Sequence, residues 1–200
     1  MPRSEEANQR IREERREQIL DASILVFARK GLAATKIADI AEASNISQGL
    51  IYRYFENKEA IFAVLMERAL GSTVLLAQMA LQQPGTPLAK LRWLLQQYLP
   101  GLWEQPEYAL MVTHALTDEA IPEKVREPAL EQARLIMETI QQLVIEGQVS
   151  GEVAADDPRV LTLMVLACIE GLVRAALYKS LLPQIPGPPD PEIILRMLKA

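Results

Sequence analysis

Apolar residues recur every three or four positions along most of the chain, which is the spacing of one face of an α-helix. No segment shows the strict apolar and polar alternation that indicates a β-strand. The pattern predicts an all-α protein. Its first helix is expected from Arg10 to Lys30. The inward stripe of this helix includes Ile19, Val26 and Phe27, and Gly31 is expected to end it in a left-handed conformation.

Two short helices follow, joined by a very short turn. Thr35 is expected to cap a helix from Ile37 to Ser44, and Ser47 to cap a helix from Gln48 to Phe55. Their hydroxyls can accept hydrogen bonds from the free amides of a first turn. A long helix from Lys58 to about Leu81 comes next, and a segment rich in Pro and Gly ends it. Further helices are predicted at residues 88–99, 107–116, 123–147, 158–182 and 191–199.

The two short helices predict a helix-turn-helix, because a turn of three or four residues forces them to cross steeply. Asn45 lies in the turn, and asparagine tolerates the left-handed backbone. In such a unit the second helix lies in the major groove of DNA, with its first residues at base edges. The predicted internal face consists of Ile37, Ile40, Ala41, Ile46 and Ile51.

Polar residues are left on the outer side of the second short helix. The amide of Gln48 can hydrogen-bond to base edges, and the missing side chain of Gly49 permits a close approach. Tyr52 and Arg53 are likewise left for solvent or a partner, and Tyr52 or Tyr54 can donate a hydroxyl to phosphate. Packing against the first helix is the alternative role of Tyr54.

The segment TKIADIAEASNISQGLIYRYFENKEAIF, residues 35–62, resembles the N-terminal DNA-binding domain of the TetR family of bacterial transcriptional regulators. The resemblance extends over about residues 12 to 65. Many members have histidine in place of Tyr54, and glycine or alanine-glycine in place of Ser44 and Asn45, so the DNA sequence that is read is less predictable. The resemblance implies phosphate contacts by Thr35, Lys36, Tyr52, Tyr54 and Lys58, and contacts with bases or adjacent phosphates by Ser47, Gln48, Gly49 and Arg53.

Lys58 is expected to need an anion. It begins a helix, where the positive end of the helix dipole disfavours a cation. A DNA phosphate is the predicted partner, and the alternative is an ordinary solvated lysine.

The net charge of −5 is unevenly divided along the chain. Residues 1–58 hold ten Lys and Arg against nine Asp and Glu, and residues 59–200 hold eleven against seventeen, which gives +1 and −6. The acidity therefore does not exclude a DNA-binding face in the N-terminal part. Because each head would neutralise only about 3 to 5 phosphates, we expect a dimer on a pseudo-palindrome, with heads roughly 34 Å apart.

Several features predict a cytoplasmic protein. The first twenty residues are charged and lack the apolar core of a signal peptide, and the single cysteine, Cys168, cannot form an internal disulfide. The apolar run from Val160 to Tyr178 is interrupted by Glu170 and Arg174 before it reaches the ~20 residues of a membrane span. We expect it to be a helix buried on nearly all sides and predict no membrane association.

The C-terminal helices are predicted to form a dimer interface. The helix from Val160 to Leu182 and the segment from Ile193 to Leu198 carry more apolar surface than a monomer of this size hides easily. The family resemblance implies a four-helix interface at this place, and the alternative is that both segments belong to the monomer's core. The candidate interface residues are Gly171, Leu172, Ala175 and Ile194.

Residues 88 to 140 hold both tryptophans and the only histidine. Aromatic and methionine side chains on neighbouring helices can line a pocket for a largely apolar ligand. The family resemblance implies a small-molecule effector in this region, although each side chain can instead belong to the core. The candidate ligand-binding residues are Trp93, Tyr98, Trp103, Tyr108, Met111, His114 and Met137.

Other classes of function have weaker support. An enzyme would use His114 with Asp118 and Glu119, but the sequence has no second histidine, ligand-like cysteine spacing, glycine-rich phosphate loop or nucleophile motif. We therefore predict no catalytic residues, metal or cofactor. A helix-turn-helix regulator controlled by a protein partner is a further alternative.

The preferred interpretation is a dimeric repressor that leaves its promoter when it binds a small ligand. The DNA-binding domain is expected at residues 12–72, and an effector-binding and dimerisation domain at residues 73–200.

Overall fold

The computed structural model describes residues 5–178, 185 and 187–200. These residues form nine helices joined by short connections, with one isolated antiparallel bridge between Val153 and Lys199, and the all-α prediction is confirmed. The helices are α1 (Glu5–Ala34), α2 (Ile37–Ala43), α3 (Gln48–Ile51), α4 (Lys58–Gln82), α5 (Pro87–Glu104), α6 (Pro106–Thr117), α7 (Glu123–Val149), α8 (Pro158–Leu177) and α9 (Pro191–Leu195).

Gly31 ends the regular part of α1, as predicted. Its φ of 71° lies outside the helical range, and a short helical piece follows as far as Ala34. The helix begins at Glu5, before the predicted Arg10. Arg10 pairs with Glu14 one turn later over 3.5 Å, a spacing that supports exposed helical turns.

The cap of α2 and the length of α3 differ from the prediction. Lys36, and not Thr35, occupies the N-cap position of α2, with φ −113° and ψ 153°. α3 ends at Ile51 and not at Phe55, although the Phe55 amide still donates to the Ile51 carbonyl over 3.0 Å. The Phe55 side chain is 5% exposed, and the chain turns out of the helix where this ring enters the core.

Two clusters of buried apolar side chains hold the helices together. The first joins α1, α2, α3 and the first half of α4 to α6 and the start of α7. The second joins the end of α4 to α5, α8, α9 and the later part of α7. Helix α4 contributes to both clusters and crosses the expected domain boundary between residues 72 and 73. It therefore links the helix-turn-helix to the C-terminal part.

α8 is less buried than expected. It ends at Leu177, and the predicted continuation over residues 179–182 lies outside the described residues. α4 and α8 are both long and apolar enough to cross a membrane, a test that core helices of soluble proteins also pass. Within the single chain, only 28% of the most apolar stretch of α8 is buried. The expectation of a helix buried on nearly all sides is therefore wrong for the monomer.

The C-terminal segment is tied to α5 by charged side chains. α9 ends at Leu195 and not near residue 199. Glu192 accepts hydrogen bonds from Lys199 and, over 2.8 Å, from Arg92 of α5. The Lys199 hydrogen bond, followed by that of Arg92, lowers the pKa of Glu192. These contacts fix the end of the chain against the second cluster.

Candidate functional site

α2, the following turn and α3 form the predicted helix-turn-helix. Asn45 adopts a φ of 55° in the turn, and the Ile46 amide donates to the Ala41 carbonyl over 3.0 Å. The Ser47 hydroxyl accepts a hydrogen bond from the Leu50 amide over 3.2 Å and caps α3. The predicted turn residue and the predicted cap of α3 are confirmed.

The interior of this unit is apolar and closed. Ile40 and Ile51 are 0% exposed and Ala41 is 6% exposed, while Ile37 and Ile46 are partly buried against the same cluster. The five isoleucine and alanine positions expected inside the unit therefore hold its shape, and Ile40, Ala41 and Ile51 are closed to a partner.

Several polar contacts fix α2 against α1. Lys30 of α1 and Asp39 of α2 form an ion pair with an Nζ to Oδ1 distance of 2.8 Å, and the other Asp39 oxygen accepts from the Lys36 amide over 2.8 Å. The Lys30 hydrogen bond, followed by that of Lys36, lowers the pKa of Asp39. At the other end of α2, Gln18 of α1 donates to the Ser44 carbonyl over 2.7 Å.

The outer side of α3 and the turn after it are exposed. Gln48, Gly49 and Arg53 are exposed, and the Tyr52 side chain is 56% exposed. In the part of the chain that the structure describes, the side chains of Gln48, Tyr52 and Arg53 have no hydrogen-bond or ion-pair partner. This face therefore has donors and acceptors that the fold does not use.

Gly49 has no structural need to be glycine. Its φ lies outside the positive range, and a methyl group placed on its Cα meets no heavy atom of the described residues within 4 Å. Alanine is more favourable than glycine inside a helix by about 1 kcal/mol. Packing within the described residues therefore does not require the missing side chain.

Thr35 is not placed to hold a phosphate with its side chain. The residue is 1% exposed, and its hydroxyl donates to the Gly31 carbonyl over 2.6 Å. The hydroxyl closes the end of α1 and does not cap α2. The implied phosphate contact by this side chain is therefore wrong for the observed conformation, whereas the neighbouring Lys36 is exposed.

Lys58 has partners inside the protein. Its ammonium nitrogen lies 2.8 Å from the Leu32 carbonyl oxygen, 3.0 Å from that of Ala33 and 2.8 Å from that of Thr35. An ammonium has three protons, and these carbonyls accept all of them. The carboxyl end of α1 carries negative partial charge and stabilises a cation. The prediction that Lys58 needs an external anion is therefore wrong.

Tyr54 is only half-exposed, and its side chain packs against the first cluster. This burial favours the packing role of Tyr54, which the sequence left open beside a phosphate contact. At the next residue, the guanidinium of Arg16 lies 5.2 Å from the centre of the Phe55 ring.

A charged junction links α1, α4 and α6. Arg68 of α4 makes two hydrogen bonds to Glu17 of α1, one of them with an Nη2 to Oε1 distance of 2.8 Å. These bonds lower the pKa of Glu17 and raise that of Arg68. Burial, followed by the charge of Asp21, raises the pKa of Tyr108 of α6 beside this pair.

The structure divides the predicted ligand-binding residues between two regions. Tyr108 and Met111 belong to the first cluster, whereas Trp93 and Tyr98 pack against the second. Burial raises the pKa of Tyr98. Trp103 is 7% exposed and Met137 is 43% exposed on α7, so the seven residues do not all belong to one apolar cluster. Two surface grooves of 370 and 560 Å³, on α7 and α1, include none of them.

Asp118, which the sequence places near His114, is engaged in backbone contacts of the turn after α6. The His114 backbone carbonyl accepts from the Asp118 amide over 2.9 Å, and the Asp118 carboxylate accepts from the Ala120 amide over 2.9 Å. Within the described ranges, no group of three or more His, Cys, Asp or Glu residues has the arrangement of a metal site. The fold thus uses Asp118 as a turn residue.

An uncovered apolar face runs along α8. Its residues share one side of the helix, and a methyl group on Gly171 would meet no heavy atom of the described residues within 4 Å. Leu172 and Ala175 are half-buried beside this face. Ile194 is 5% exposed and belongs to the core, so its assignment to a surface is wrong, and the exposed side chains nearby are Ile193 and Met197. The exposed face consists of Val160, Leu163, Met164, Ala167, Gly171 and Tyr178.

Gln132 was missed by the sequence analysis. Of the side chains that the structure describes, only Gln132 has a buried oxygen or nitrogen without a hydrogen-bond partner, and the atom is Oε1. The residue lies on α7 one turn after Ala129 of the first cluster and one turn before Ile136, which packs against both clusters. The sequence contained a signal for this residue, because Gln132 is a polar residue at helical spacing between the apolar positions Ala129 and Ile136.

Two family models match the chain. Residues 19–65 match the model described as bacterial regulatory proteins, tetR family, and residues 84–174 match the model described as the tetracyclin repressor-like C-terminal domain. The two matched segments contain the helix-turn-helix and most of the C-terminal helices.

Similar proteins include regulators of known and unknown role. The uncharacterized HTH-type transcriptional regulator YerO of Bacillus subtilis is 41% identical over 61 residues, which are 30% of this chain and only 21% of that protein. The fatty acid metabolism regulator protein of Bacillus subtilis is 24% identical over 157 residues, 78% of this chain and 80% of that protein.

A solved structure has the same fold over nearly the whole chain. The transcriptional regulator FadR from Bacillus subtilis, in complex with stearoyl-CoA, superposes with a TM-score of 0.67 at 22% identity, covering 92% of this chain and 97% of that chain. Family matches in both parts of the chain agree with the helix-turn-helix and the helical C-terminal part. The chain therefore belongs to the TetR family of bacterial regulatory proteins.

Proposed function

We propose that this chain is a sequence-specific DNA-binding regulator that acts in the cytoplasm as a dimer and represses transcription until a small ligand binds. The exposed face of α3 carries the proposal. Gln48, Tyr52 and Arg53 have no partner among the described residues, and they follow the turn of a closed helix-turn-helix. In this motif those positions meet the major groove and the phosphates beside it.

The exposed residues divide by the chemistry they can perform. The Gln48 amide can donate to and accept from a base edge, and Gly49 lets the backbone of α3 come close to the groove. Tyr52, Arg53 and the exposed Lys36 supply donors for phosphates, which set the register of the protein on the duplex. Ser47 contributes the cap of α3, and Thr35 and Lys58 contribute contacts within the protein.

Two substitutions separate phosphate contacts from base contacts. Tyr52→Phe should weaken binding to all duplexes by a similar factor, whereas Gln48→Ala should relax the preference at one or two base positions. The affinities are measured by fluorescence anisotropy on duplexes selected from random DNA by the parent protein. Parent-like affinity and preference in both variants would remove this assignment.

The proposed dimer forms through the apolar face of α8. Leu163 is 63% exposed and Val160 is 52% exposed, and Gly171 adds no side chain between two facing helices. A second copy related by a two-fold axis would cover this face with the same face of its own. The two heads would then meet successive major grooves roughly 34 Å apart.

The proposed effector is a largely apolar molecule with a long acyl chain. The support is the similarity to a fatty acid metabolism regulator and to a structure in complex with stearoyl-CoA. Gln132 adds a buried acceptor between the two apolar clusters, which an effector carrying a hydrogen-bond donor would satisfy. An effector at this place would displace α6 and α4 and so change the spacing of the heads.

A ligand panel tests the effector. Acyl-CoA molecules of graded chain length are compared with free coenzyme A in thermal shift and in release of the selected duplex. Saturable stabilisation together with DNA release supports the proposal, because a ligand that binds only the folded state raises its stability. A negative panel with intact DNA binding would contradict acyl-CoA control and favour control by a protein partner.

A further inference from the structure

One side chain ties the two ends of the helix-turn-helix together. Thr35 precedes α2, and Lys58 follows the turn after α3. The Lys58 ammonium donates to the Thr35 carbonyl over 2.8 Å, across 23 positions of the chain. Lys58 therefore joins the two ends of the segment, residues 35–58, that contains α2, the turn and α3.

The acceptors converge because the bend between α1 and α2 is fixed. Gly31 turns the chain with φ 71°, and the Thr35 hydroxyl returns to the Gly31 carbonyl over 2.6 Å. The Leu32 and Ala33 carbonyls then meet the same ammonium over 2.8 and 3.0 Å. A compact ammonium can donate to three acceptors around one point, whereas a planar guanidinium donates along a fixed fork.

The backbone of Lys58 is equally well held. Asn57 caps α4 by accepting from the Ala60 amide over 2.8 Å. Ile61 and Phe62, in the first turn of α4, are 0% and 1% exposed. Lys58 therefore connects the capped start of α4 to the bend between α1 and α2, and α2, the turn and α3 lie between these two points.

We propose that Lys58 is a positioning residue for DNA binding, which sets the orientation of α3 by holding the start of α2 against the start of α4. The inference rests on the proposed DNA-binding function. The three carbonyls occupy every proton of the Lys58 ammonium, so a direct phosphate contact would require this side chain to release at least one of its hydrogen bonds inside the protein.

The salt dependence of binding distinguishes positioning from phosphate contact. Lys58→Met keeps most of the apolar stem and removes the charge. The probe is the duplex selected from random DNA by the parent, and affinity is measured over a range of salt at a temperature where circular dichroism shows a folded variant. We expect affinity to fall at least about tenfold with an unchanged slope of log affinity against log salt. Loss of one phosphate contact per head would instead reduce the slope by about 1.8 for a dimer.

Three further variants serve as controls. Lys58→Arg keeps the charge but not the three-way geometry, so positioning predicts a loss close to that of Lys58→Met, whereas a phosphate contact predicts near-parent binding. Lys36→Met removes an exposed cation beside the motif and should reduce the salt slope. Arg92→Met breaks the pair with Glu192 far from the motif and should lower thermal stability without changing affinity or slope.

Each outcome decides the inference. Weaker binding of both Lys58 variants at an unchanged slope supports it. A reduced slope in Lys58→Met with recovery in Lys58→Arg would overturn it in favour of a phosphate contact, and parent-like affinity in both would show that Lys58 has no role in binding. A parent protein that selects no duplex would refute the proposed function itself, whatever the variants do.

Discussion

Gly49→Ala should change stability and DNA binding in opposite directions. The added methyl group meets no heavy atom of the described residues within 4 Å, so it causes no clash in the free protein. Alanine in place of glycine lowers the conformational entropy of the unfolded chain and suits a helix better, by up to about 1 kcal/mol. For a chain of 200 residues, that gain raises the melting temperature by roughly 2–4 °C.

The same methyl group should weaken DNA binding. In the proposed complex, Gly49 faces the groove near Gln48, and overfilling a close-packed contact costs about 1–3 kcal/mol. Two heads double this cost to at least about 2 kcal/mol, which corresponds to roughly a 30-fold loss of affinity. Thermal unfolding gives the stability, and anisotropy with the selected duplex gives the affinity.

Gly101→Ala is the matched control. Gly101 is an exposed helical glycine of α5, and a methyl group there also meets no heavy atom of the described part of the chain within 4 Å. It should raise stability by a similar amount and leave DNA affinity unchanged. Gly49→Ala binding as tightly as the parent would refute the close approach of α3 to DNA, and a lower melting temperature would refute the account of the free protein.

Three further substitutions test other parts of the account. Leu163→Glu should give folded monomers in sedimentation, because the charge would enter the proposed interface, whereas Leu75→Glu at a 57% exposed position of α4 should leave the dimer intact; a dimeric Leu163→Glu would exclude the α8 face. Asp157→Asn should be less stable than the parent at neutral pH in urea unfolding. Hydrogen bonds from Arg159 lower the pKa of Asp157 from 3.8 to about 2, so its carboxylate stabilises the fold above pH 3.8, and the difference between the proteins should close as the pH falls towards 2; a constant difference would refute this cause. Gln132→Met should raise the free energy of unfolding by about 1–3 kcal/mol, because it removes an unpaired buried acceptor, and should weaken acyl-CoA binding; destabilisation would show that the amide has a partner in solution.

Features governed by neighbouring residues were predictable from the sequence. Asn45 in the turn, Ser47 at the start of α3 and the break at Gly31 depend on backbone conformation and on amides a few positions away. The buried face of the helix-turn-helix followed from helical spacing, with Ile40 and Ile51 fully buried. Interactions between residues close in the sequence were therefore sufficient to predict the position of α3.

Features governed by distant partners were not predictable in the same way. Lys58 meets carbonyls 23 to 26 positions earlier, so reasoning from its own helix assigned it the wrong counter-charge. Ile193 and Ile194 are neighbours of the same residue type. Only the packing of α9 buries Ile194 and leaves Ile193 exposed. Of the candidate ligand-binding residues, Tyr108 and Met111 pack in the first cluster and Trp93 and Tyr98 pack against the second, a division set by how α5 and α6 pack.

Selection of binding sites from random DNA tests the central claim most directly. The protein is incubated with a library of random duplexes, bound molecules are amplified over several rounds, and the enriched sequence is footprinted. We predict an inverted repeat whose half-sites are centred roughly 10 base pairs apart, one turn of DNA, with protection on both halves. Failure to enrich any sequence, or enrichment of a single half-site bound by one copy of the chain, would contradict the account.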